Sequence, residues 1–356
     1  MSDAEVITRV EGETGRITLN RPGALHALTT NMCVLMTEAL CAWRADPGVR
    51  AVLIDHSGER GFCAGGDIRM LAESGQGDGS AAREFFFTEY RLNDLLFNYP
   101  KPVVAVMDGV TMGGGVGLSM PAKFRIATER TTFAMPETGI GLFPDVGGGW
   151  FLPRLHHHAG LWLALTGARI KAADCTALEI ATHVVASASV ADLKAAIVAA
   201  PDHIPEAIAP FAVEPGPAPV VERFADIERL FGQPSVEDVV AALEADGSEW
   251  ANAQLATLKT KSPQTMKVAF RQLSQGGHMT SFADNMAMEY RIGARVVHKH
   301  DFIEGVRAVI VDKDNAPKWN PADLGGVSEA DLDAIFARLP ADQEWTPLPQ
   351  TIERPA

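Results

Sequence analysis

Residues 101–118 read KPVVAVMDGVTMGGGVGL, an apolar run that ends in a cluster of glycines. Within it, Pro102–Asp108 is typical of a buried strand, and the glycines that follow predict a tight turn leading into a helix. The same order occurs earlier, where VRAVLIDH (49–56) precedes GFCAGGDI (61–68). Repetition of a strand, a glycine turn and a helix predicts an α/β fold in which helices cover sheets.

The segments on either side extend this pattern. Val6–Val10 and Arg16–Asn20 flank EGETG, which predicts a hairpin with glycine at its turn. Thr29 is a candidate cap for a helix running to about Arg44, because the apolar residues after it have helical spacing. Shorter strands are predicted at 123–128 and 131–135.

The chain changes character after about residue 150, where Ala, Leu, Glu and Lys dominate and strand signals are few. The proline-rich segment 201–220 predicts a linker or an irregular connection. Helical patterns follow it at 235–245, 249–260, 263–275, 280–298 and 328–338.

Composition excludes several classes of protein. The chain has 356 residues, with 31 Lys and Arg against 45 Asp and Glu, a net charge of −14. Such a charge disfavours nucleic acid or an anionic membrane as the main partner. The four cysteines, Cys33, Cys41, Cys63 and Cys175, form no CxxC pair and are typical of reduced thiols. With no run of eighteen apolar residues and no apolar signal core in residues 1–10, we expect a cytoplasmic protein.

Several catalytic motifs are absent from the sequence. It contains no GxxxxGK[ST] phosphate loop, no HExxH zinc helix and no GxSxG nucleophile elbow. The histidine triplet at 156–158 has no matching set of ligands, so we interpret it as a surface feature of a helix rather than as a metal site.

The two glycine turns, at 61–68 and 108–118, have a common chemical use. Glycine allows close approach of a ligand to the backbone, and the start of a helix presents free N–H groups. Two such groups from different turns can meet at one oxygen, which is the requirement for an oxyanion hole. The alternative is that the glycines only permit tight turns and close packing.

A third unusual segment, MPETGIGLFPDVGGG at 135–149, places Glu137 and Asp145 among apolar residues. A buried carboxylate is costly unless it is paired, and burial raises its pKa toward the range useful for proton transfer. The alternative is that both side chains face solvent or cap helices, with Asp145 as the N-cap of the helix that follows.

Taken together, these segments resemble the crotonase superfamily, also called the enoyl-CoA hydratase/isomerase family, and look most like its 3-hydroxyisobutyryl-CoA hydrolase branch. The similarity extends over nearly the whole chain. The matching stretches are ITLNRPGALHAL (17–28), GFCAGGDI (61–68), TEYRLN (88–93), KPVVAVMDGVTMGGGVGLS (101–119), FAMPETGIGLFPDVGGGWFLPRL (133–155) and the segment 282–321.

The resemblance implies a spiral of stacked ββα units over residues 1–200 that carries a CoA-thioester site, followed by a linker and a C-terminal helical region over 201–356. Gly66 and Gly114 would supply the two N–H groups for the thioester oxygen. Glu137 would be the catalytic glutamate, Asp145 the second carboxylate, and Glu89 an acidic residue at the acyl pocket. The resemblance also implies contacts with adenine and pantetheine from His26, Ala27, Ala64, Gly65 and Ile68.

One departure bears on the reaction. Typical hydratases of this family carry a second glutamate at the position of Gly117, so its loss favours hydrolysis of a short branched 3-hydroxyacyl-CoA. Two alternatives stay open, namely an enoyl-CoA hydratase or isomerase and a non-catalytic acyl-CoA-binding protein. We expect no metal or redox cofactor, because the implied chemistry is acyl transfer, and coenzyme A is part of the substrate. The resemblance further implies a homo-oligomer, either a trimer or a hexamer.

Overall fold

The computed structural model describes residues 4–349. In that part of the chain a six-stranded sheet has the order β1-β2-β3-β5-β7-β9, and a three-stranded sheet has the order β4-β6-β8. The first pair is antiparallel and all the others are parallel. The strands are β1 (Val6–Glu11), β2 (Thr14–Leu19), β3 (Ala51–His56), β4 (Gly61–Cys63), β5 (Val103–Met107), β6 (Val110–Met112), β7 (Phe124–Ala127), β8 (Thr132–Ala134) and β9 (His183–Val184).

Helices connect and cover the strands. They are α1 (Thr30–Ala45), α2 (Ile68–Gln76), α3 (Ser80–Phe97), α4 (Gly114–Ser119), α5 (Gly148–Phe151), α6 (Ala159–Thr166), α7 (Ala172–Ala177), α8 (Val190–Ala199), α9 (Ile204–Ile208), α10 (Phe224–Phe231), α11 (Val236–Asp246), α12 (Glu249–Leu258), α13 (Pro263–His278), α14 (Phe282–Val296), α15 (His300–Val306) and α16 (Glu329–Phe336). None of them, within residues 4–349, is long and apolar enough to cross a membrane.

Local signals explain the first elements. The hairpin turns at Gly12, whose φ of +56° is one that glycine adopts without steric cost. Thr29 caps α1, because its side chain accepts a hydrogen bond from the amide of Met32 at 3.1 Å. The predicted hairpin and the predicted helix are therefore confirmed.

The central strands β3 and β5 of the large sheet are buried on both faces. On β3, Val52 and Ile54 face the main hydrophobic core, whereas Ala51 and Leu53 face a second core. Successive side chains of a strand point to opposite faces, so a strand buried on both sides has a continuous apolar sequence. This arrangement accounts for the unbroken apolar run in VRAVLIDH.

The second core corrects the prediction for 201–220. The structure has helix α9 there, with Ile204 and Ile208 buried beside Leu193 and Ile197 of α8. Within this segment, residues 201–203 and 212–218 lie outside helices. Pro205 did not prevent the helix because it lies in its first turn, where a missing N–H costs nothing.

The C-terminal helices α11 to α14 and α16 lie within a few residues of their predicted bounds, which confirms them. α14 packs along α3, and α13 packs against α5. Met266 of α13 and Met286 of α14 belong to the same hydrophobic core as Val52 of the sheet. The C-terminal region therefore helps to enclose the parts of the chain that carry the predicted site, and the boundary at residue 200 stays a prediction.

Candidate active site

A cavity of about 230 Å³ opens where the three strands of the small sheet end. Because β4, β6 and β8 are parallel, the segments after them meet at one edge, the usual place for ligands in parallel sheets. Eight of the ten predicted site residues line this cavity, namely Ala64, Gly65, Gly66, Ile68, Glu89, Gly114, Glu137 and Asp145.

The two glycine turns lie side by side at this edge. A Cβ atom added at Gly113 would lie 3.0 Å from the Cα of Gly65, so the two backbones are nearly in contact. Gly114 is the first residue of α4, where an amide has no acceptor within its own helix. Among residues 4–349, the amides of Gly66 and Gly114 have no hydrogen-bond acceptor. Two free donors at one cavity are suited to binding a carbonyl oxygen.

Close packing explains why these positions are glycine. A Cβ atom at Gly114 would lie 2.8 Å from both Leu28 Cδ1 and Glu89 Oε1. One at Gly66 would lie 2.8 Å from Cζ of Phe85. Any other residue at either position would displace a group that lines or supports the cavity.

Glu137 directly follows the Met-Pro pair after β8 and starts a short 3-10 helix, Glu137–Ile140. Its side chain is buried, and within the described residues its Oε2 has no hydrogen-bond partner. A Cβ atom at Gly113 would lie 3.3 Å from Glu137 Oε1, which places this carboxyl beside the glycine turns. Burial raises the pKa of Glu137 well above its ordinary value, and the charge of Asp145 raises it further.

Asp145 does not cap the helix after it. The residue preceding α5 is Gly147, and the Asp145 carboxylate instead accepts a hydrogen bond from the Tyr90 hydroxyl at 2.9 Å. Burial raises the pKa of Asp145 to about 7, although the hydrogen bond from Tyr90 acts in the opposite direction. A carboxyl group with this pKa can accept or release a proton near neutral pH.

Glu89 reaches the cavity from α3. It is buried, and its Oε1 has no partner among residues 4–349. Burial raises its pKa well above the ordinary value, and the charges of Asp145 and Glu289 add to the effect. The cavity therefore has unsatisfied carboxyl oxygens on two of its walls, from Glu89 and Glu137.

Sequence analysis missed a fourth buried carboxylate, Glu289 of α14. It accepts four hydrogen bonds, from the amides of Gly147 (2.8 Å) and Gly149 (2.9 Å) and from the side chains of Gln272 (3.0 Å) and Asn285 (2.9 Å). Burial raises its pKa to about 8 even with these donors. The sequence did contain a signal, because the triplet Glu-Tyr-Arg occurs both at 89–91 and at 289–291.

The predicted binding residues His26 and Ala27 do not line this cavity. The His26 ring accepts a hydrogen bond from the Arg21 amide at 2.9 Å and pairs with the Ser57 carbonyl at 2.9 Å. Burial, with a contribution from nearby His56, lowers the pKa of His26 to about 4, so the ring is neutral at pH 7. Its two hydrogen bonds stabilise the turn in which it lies. Contacts of this turn with the nucleotide part of a ligand stay a prediction.

The interpretation of the histidine triplet is confirmed in one respect: His156, His157 and His158 are exposed. They form a turn, in which His157 and His158 have positive φ, rather than part of a regular helix. Between residues 4 and 349 no three His, Cys, Asp or Glu side chains are grouped so as to hold a metal ion. The expectation about cofactors stays a prediction.

Comparison with known proteins adds independent information. Residues 14–336 match the family model described as enoyl-CoA hydratase/isomerase. The chain is 46% identical to the mitochondrial 3-hydroxyisobutyryl-CoA hydrolase of Danio rerio, over 94% of this chain and 90% of that protein. It is 44% identical to the enzyme of the same name from Homo sapiens, over 94% and 89%.

Two solved structures are also similar. A carnitinyl-CoA dehydratase from Mycobacterium thermoresistibile superposes with a TM-score of 0.92 at 41% identity, covering 97% of this chain and 99% of the other. An enoyl-CoA hydratase from Rhodobacter sphaeroides has a TM-score of 0.88 at 38% identity, covering 96% and 100%. The expected crotonase-like α/β fold with C-terminal helices is thereby confirmed.

The comparison corrects one expectation. The cytoplasmic location inferred from residues 1–10 is contradicted, because the curated relatives are named as mitochondrial enzymes. That inference considered only an apolar secretory signal, whereas signals for organelles have a different composition.

Proposed function

This chain belongs to the enoyl-CoA hydratase/isomerase family, and on that premise we propose that it hydrolyses 3-hydroxyisobutyryl-CoA to 3-hydroxyisobutyrate and CoA. The curated relatives named for this reaction are 42–46% identical to it over about 94% of its length. Such a reaction belongs to valine degradation.

The observation that carries the proposal is the arrangement around Gly117. A Cβ atom there would lie 2.7 Å from both Asn93 Nδ2 and Val146 Cβ, so the space for a second glutamate at this position is already filled. The second carboxylate near Glu137 comes instead from Asp145, on the loop before α5. A hydratase of this family uses two carboxylates to add water across a double bond. The carboxylates of this chain are therefore not arranged for that reaction.

The size of the cavity agrees with a short acyl group. Its volume of about 230 Å³ is below the range of about 300–1,000 Å³ found for drug-sized ligands. Phe85 and Leu142 contribute apolar walls, and the carboxyl groups of Glu89 and Asp145 offer hydrogen-bond partners for a hydroxyl.

In the proposed mechanism the amides of Gly66 and Gly114 bind the thioester oxygen and stabilise the negative charge that develops on it. Glu137 has two candidate roles. As a general base it takes a proton from water, whose oxygen attacks the carbonyl carbon. As a nucleophile it attacks that carbon itself and forms a mixed anhydride, which water then hydrolyses. In either route the C–S bond breaks and the CoA thiolate takes up a proton.

Asp145 orients the 3-hydroxyl group or the water and assists proton transfer to the leaving thiolate. Its pKa of about 7 allows it to exist in both protonation states at neutral pH. The hydrogen bond from Tyr90, on α3, keeps the Asp145 carboxylate directed into the cavity.

The similar structure from Rhodobacter sphaeroides is named as an enoyl-CoA hydratase, which favours that activity as a second candidate. A direct assay separates the two. Incubation with 3-hydroxyisobutyryl-CoA should release free CoA, detected with a thiol reagent, whereas enoyl-CoA esters should keep their absorbance. Loss of enoyl absorbance without release of thiol would refute the hydrolase. A small panel of acyl-CoA esters then defines the acyl preference.

A further inference from the structure

The two Glu-Tyr-Arg triplets, at 89–91 on α3 and 289–291 on α14, lie on helices that pack against each other. The ring of Tyr290 meets Phe87 of α3 edge-on, with 5.6 Å between the ring centroids. Both glutamates are buried and directed toward the segment that contains Asp145. The triplet on α3 contacts Asp145 itself, and the one on α14 contacts the residues just after it.

We propose that Glu289 is a positioning residue, which holds the Asp145 side chain in its position at the cavity by accepting hydrogen bonds from the amides of Gly147 and Gly149. This inference rests on the proposed thioester hydrolysis. Glu289 lines no part of the cavity and contacts no reacting atom, so its effect must pass through the loop.

The loop is fixed on both sides of Asp145. Before it, the Pro144 carbonyl accepts a hydrogen bond from Gln272 Nε2 at 2.7 Å, and the same Nε2 also donates to Glu289 at 3.0 Å. After it, the amides of Gly147 and Gly149 donate to the two different oxygens of Glu289. Glu289 and its partner Gln272 therefore hold this loop at three points within six residues.

The chemistry of these contacts favours a carboxyl group over an amide. All four groups around Glu289 are donors, and the carboxyl group receives them on two oxygens, whereas the side chain of glutamine has only one acceptor oxygen. An amide in its place would direct its own NH₂ group at a backbone N–H and leave that buried donor unsatisfied, which is unfavourable. Val146, between Asp145 and Gly147, has a φ of +53°, a left-handed conformation that is unfavourable for a β-branched residue, so the loop needs support from its surroundings.

The test is a double-mutant cycle with Glu289→Gln and Asp145→Asn. Displacement of a catalytic group by about 1 Å can cost about 10²-fold in rate, so we expect Glu289→Gln to lower kcat for 3-hydroxyisobutyryl-CoA by about 10- to 100-fold. KM should stay nearly constant, because Glu289 touches no substrate. The double variant should be no slower than Asp145→Asn alone, because Glu289 contributes to the rate only through the Asp145 carboxylate, which that variant already lacks.

Substrate choice provides a second readout that a purely structural role would not change. If Glu289 acts through Asp145, Glu289→Gln should show the same ratio of losses on 3-hydroxyisobutyryl-CoA and on isobutyryl-CoA, which lacks the hydroxyl, as Asp145→Asn shows. Multiplicative losses in the double variant, or a different ratio of losses in the two single variants, would overturn the positioning role.

A matched control separates this effect from lost stability. Ile292→Ala removes a fully buried side chain from the same helix, so it should lower the melting temperature while kcat stays close to that of the wild type. If Glu289→Gln does not fold, Gln272→Leu removes one of the donors to Glu289 and should show the same preference between the two esters. No thiol release by the wild-type protein would refute the proposed function, whereas an active wild type with multiplicative losses would refute only the role of Glu289.

Discussion

The hydroxyl of Tyr90 donates a hydrogen bond to Oδ2 of Asp145 over 2.9 Å, and both side chains are buried. This contact distinguishes Asp145 from Glu137, whose pKa is raised well above its ordinary value without such a donor. The hydrogen bond favours the ionised form of Asp145 and limits the rise of its pKa to about 7. The cavity thus contains two buried carboxyl groups, of which Asp145 has a side-chain hydrogen-bond donor that favours its ionised form.

Tyr90→Phe should move the pH dependence of the reaction. Without the donor the pKa of Asp145 rises above about 7. The activity that requires ionised Asp145 should therefore reach half of its maximum at a higher pH. A hydrogen bond to a charged group contributes about 1.5–3 kcal/mol, which corresponds to a shift of about one to two pH units. The measurement is kcat against pH from 5 to 9. Tyr290→Phe, the same change in the other triplet, should leave the profile in place, and an unchanged profile in Tyr90→Phe would exclude this role.

Glu137→Gln should abolish hydrolysis while the protein still binds CoA. Glutamine keeps the size of the side chain but can neither take a proton from water nor form an anhydride, and general-base catalysis contributes about 10²–10⁴-fold. Release of thiol gives the rate, and calorimetry gives the affinity for CoA. The exposed Glu222→Gln serves as a control with wild-type rates. Turnover close to that of the wild type in Glu137→Gln would remove Glu137 from the mechanism.

The free amides of Gly66 and Gly114 are tested best through the ligand, because their donors belong to the backbone. A CoA thioether has the shape of the thioester but lacks the carbonyl oxygen. We expect the inactive Glu137→Gln variant to bind the thioether more weakly than the thioester, by about 5- to 150-fold for one or two lost hydrogen bonds of about 1–1.5 kcal/mol each. Equal affinities would show that the amides do not bind the carbonyl.

Local patterns predicted the elements that depend on nearby residues. The hairpin, the Thr29 cap and the helices from 236 onward follow from turn residues, capping and helical spacing within short windows. The three site segments also followed from local sequence, because clustered glycines and carboxylates among apolar residues are recognised in short windows. The short strands β4 and β6 within the first two segments were not predicted, and their parallel pairing with β8 brings the segments to one edge.

Contacts between distant residues could not be predicted in this way. Glu289 lies 142 residues from Gly147, and nothing near either residue shows that they meet. Helix α3 was also not predicted, although it brings Glu89 and Tyr90 to the cavity. A glutamate on a helix is usually exposed, so burial of Glu89 and Glu289 becomes visible only when the two helices are packed together.

Gly117→Ala should destabilise the protein. Alanine is favoured over glycine within a helix by about 1 kcal/mol, but the added Cβ would lie 2.7 Å from Asn93 and Val146. Overpacking of a tight core costs about 1–3 kcal/mol, so the net effect should be a loss of up to about 2 kcal/mol in the free energy of unfolding. Gly23→Ala, where no atom lies within 4 Å of the added Cβ, is the control and should have little effect on stability. A Gly117→Ala variant as stable as the wild type would show that Asn93 and Val146 leave room for a side chain.

The buried carboxyl groups should make the protein less stable as the pH rises. Asp145 has a pKa of about 7 in the folded protein against an ordinary value of 3.8, and Glu289 has about 8 against 4.5. Between these values the folded state binds more protons than the unfolded state, so the free energy of unfolding falls from about pH 4 to about pH 8. Asp145→Asn removes one of these groups and should make the fall shallower in urea unfolding at pH 5, 6, 7 and 8.

Glu304→Gln is the matched control for that experiment, because the sign at Glu304 is opposite. Hydrogen bonds from Arg307 lower its pKa to about 2 from 4.5, so its contribution to stability is present above about pH 4.5 and is lost as the pH falls toward 2. Between pH 5 and 8 the contribution is constant, and Glu304→Gln should shift the whole curve without changing its slope. If Asp145→Asn also left the slope unchanged, Asp145 would already be ionised throughout this range, and its proposed exchange of a proton near pH 7 would be wrong.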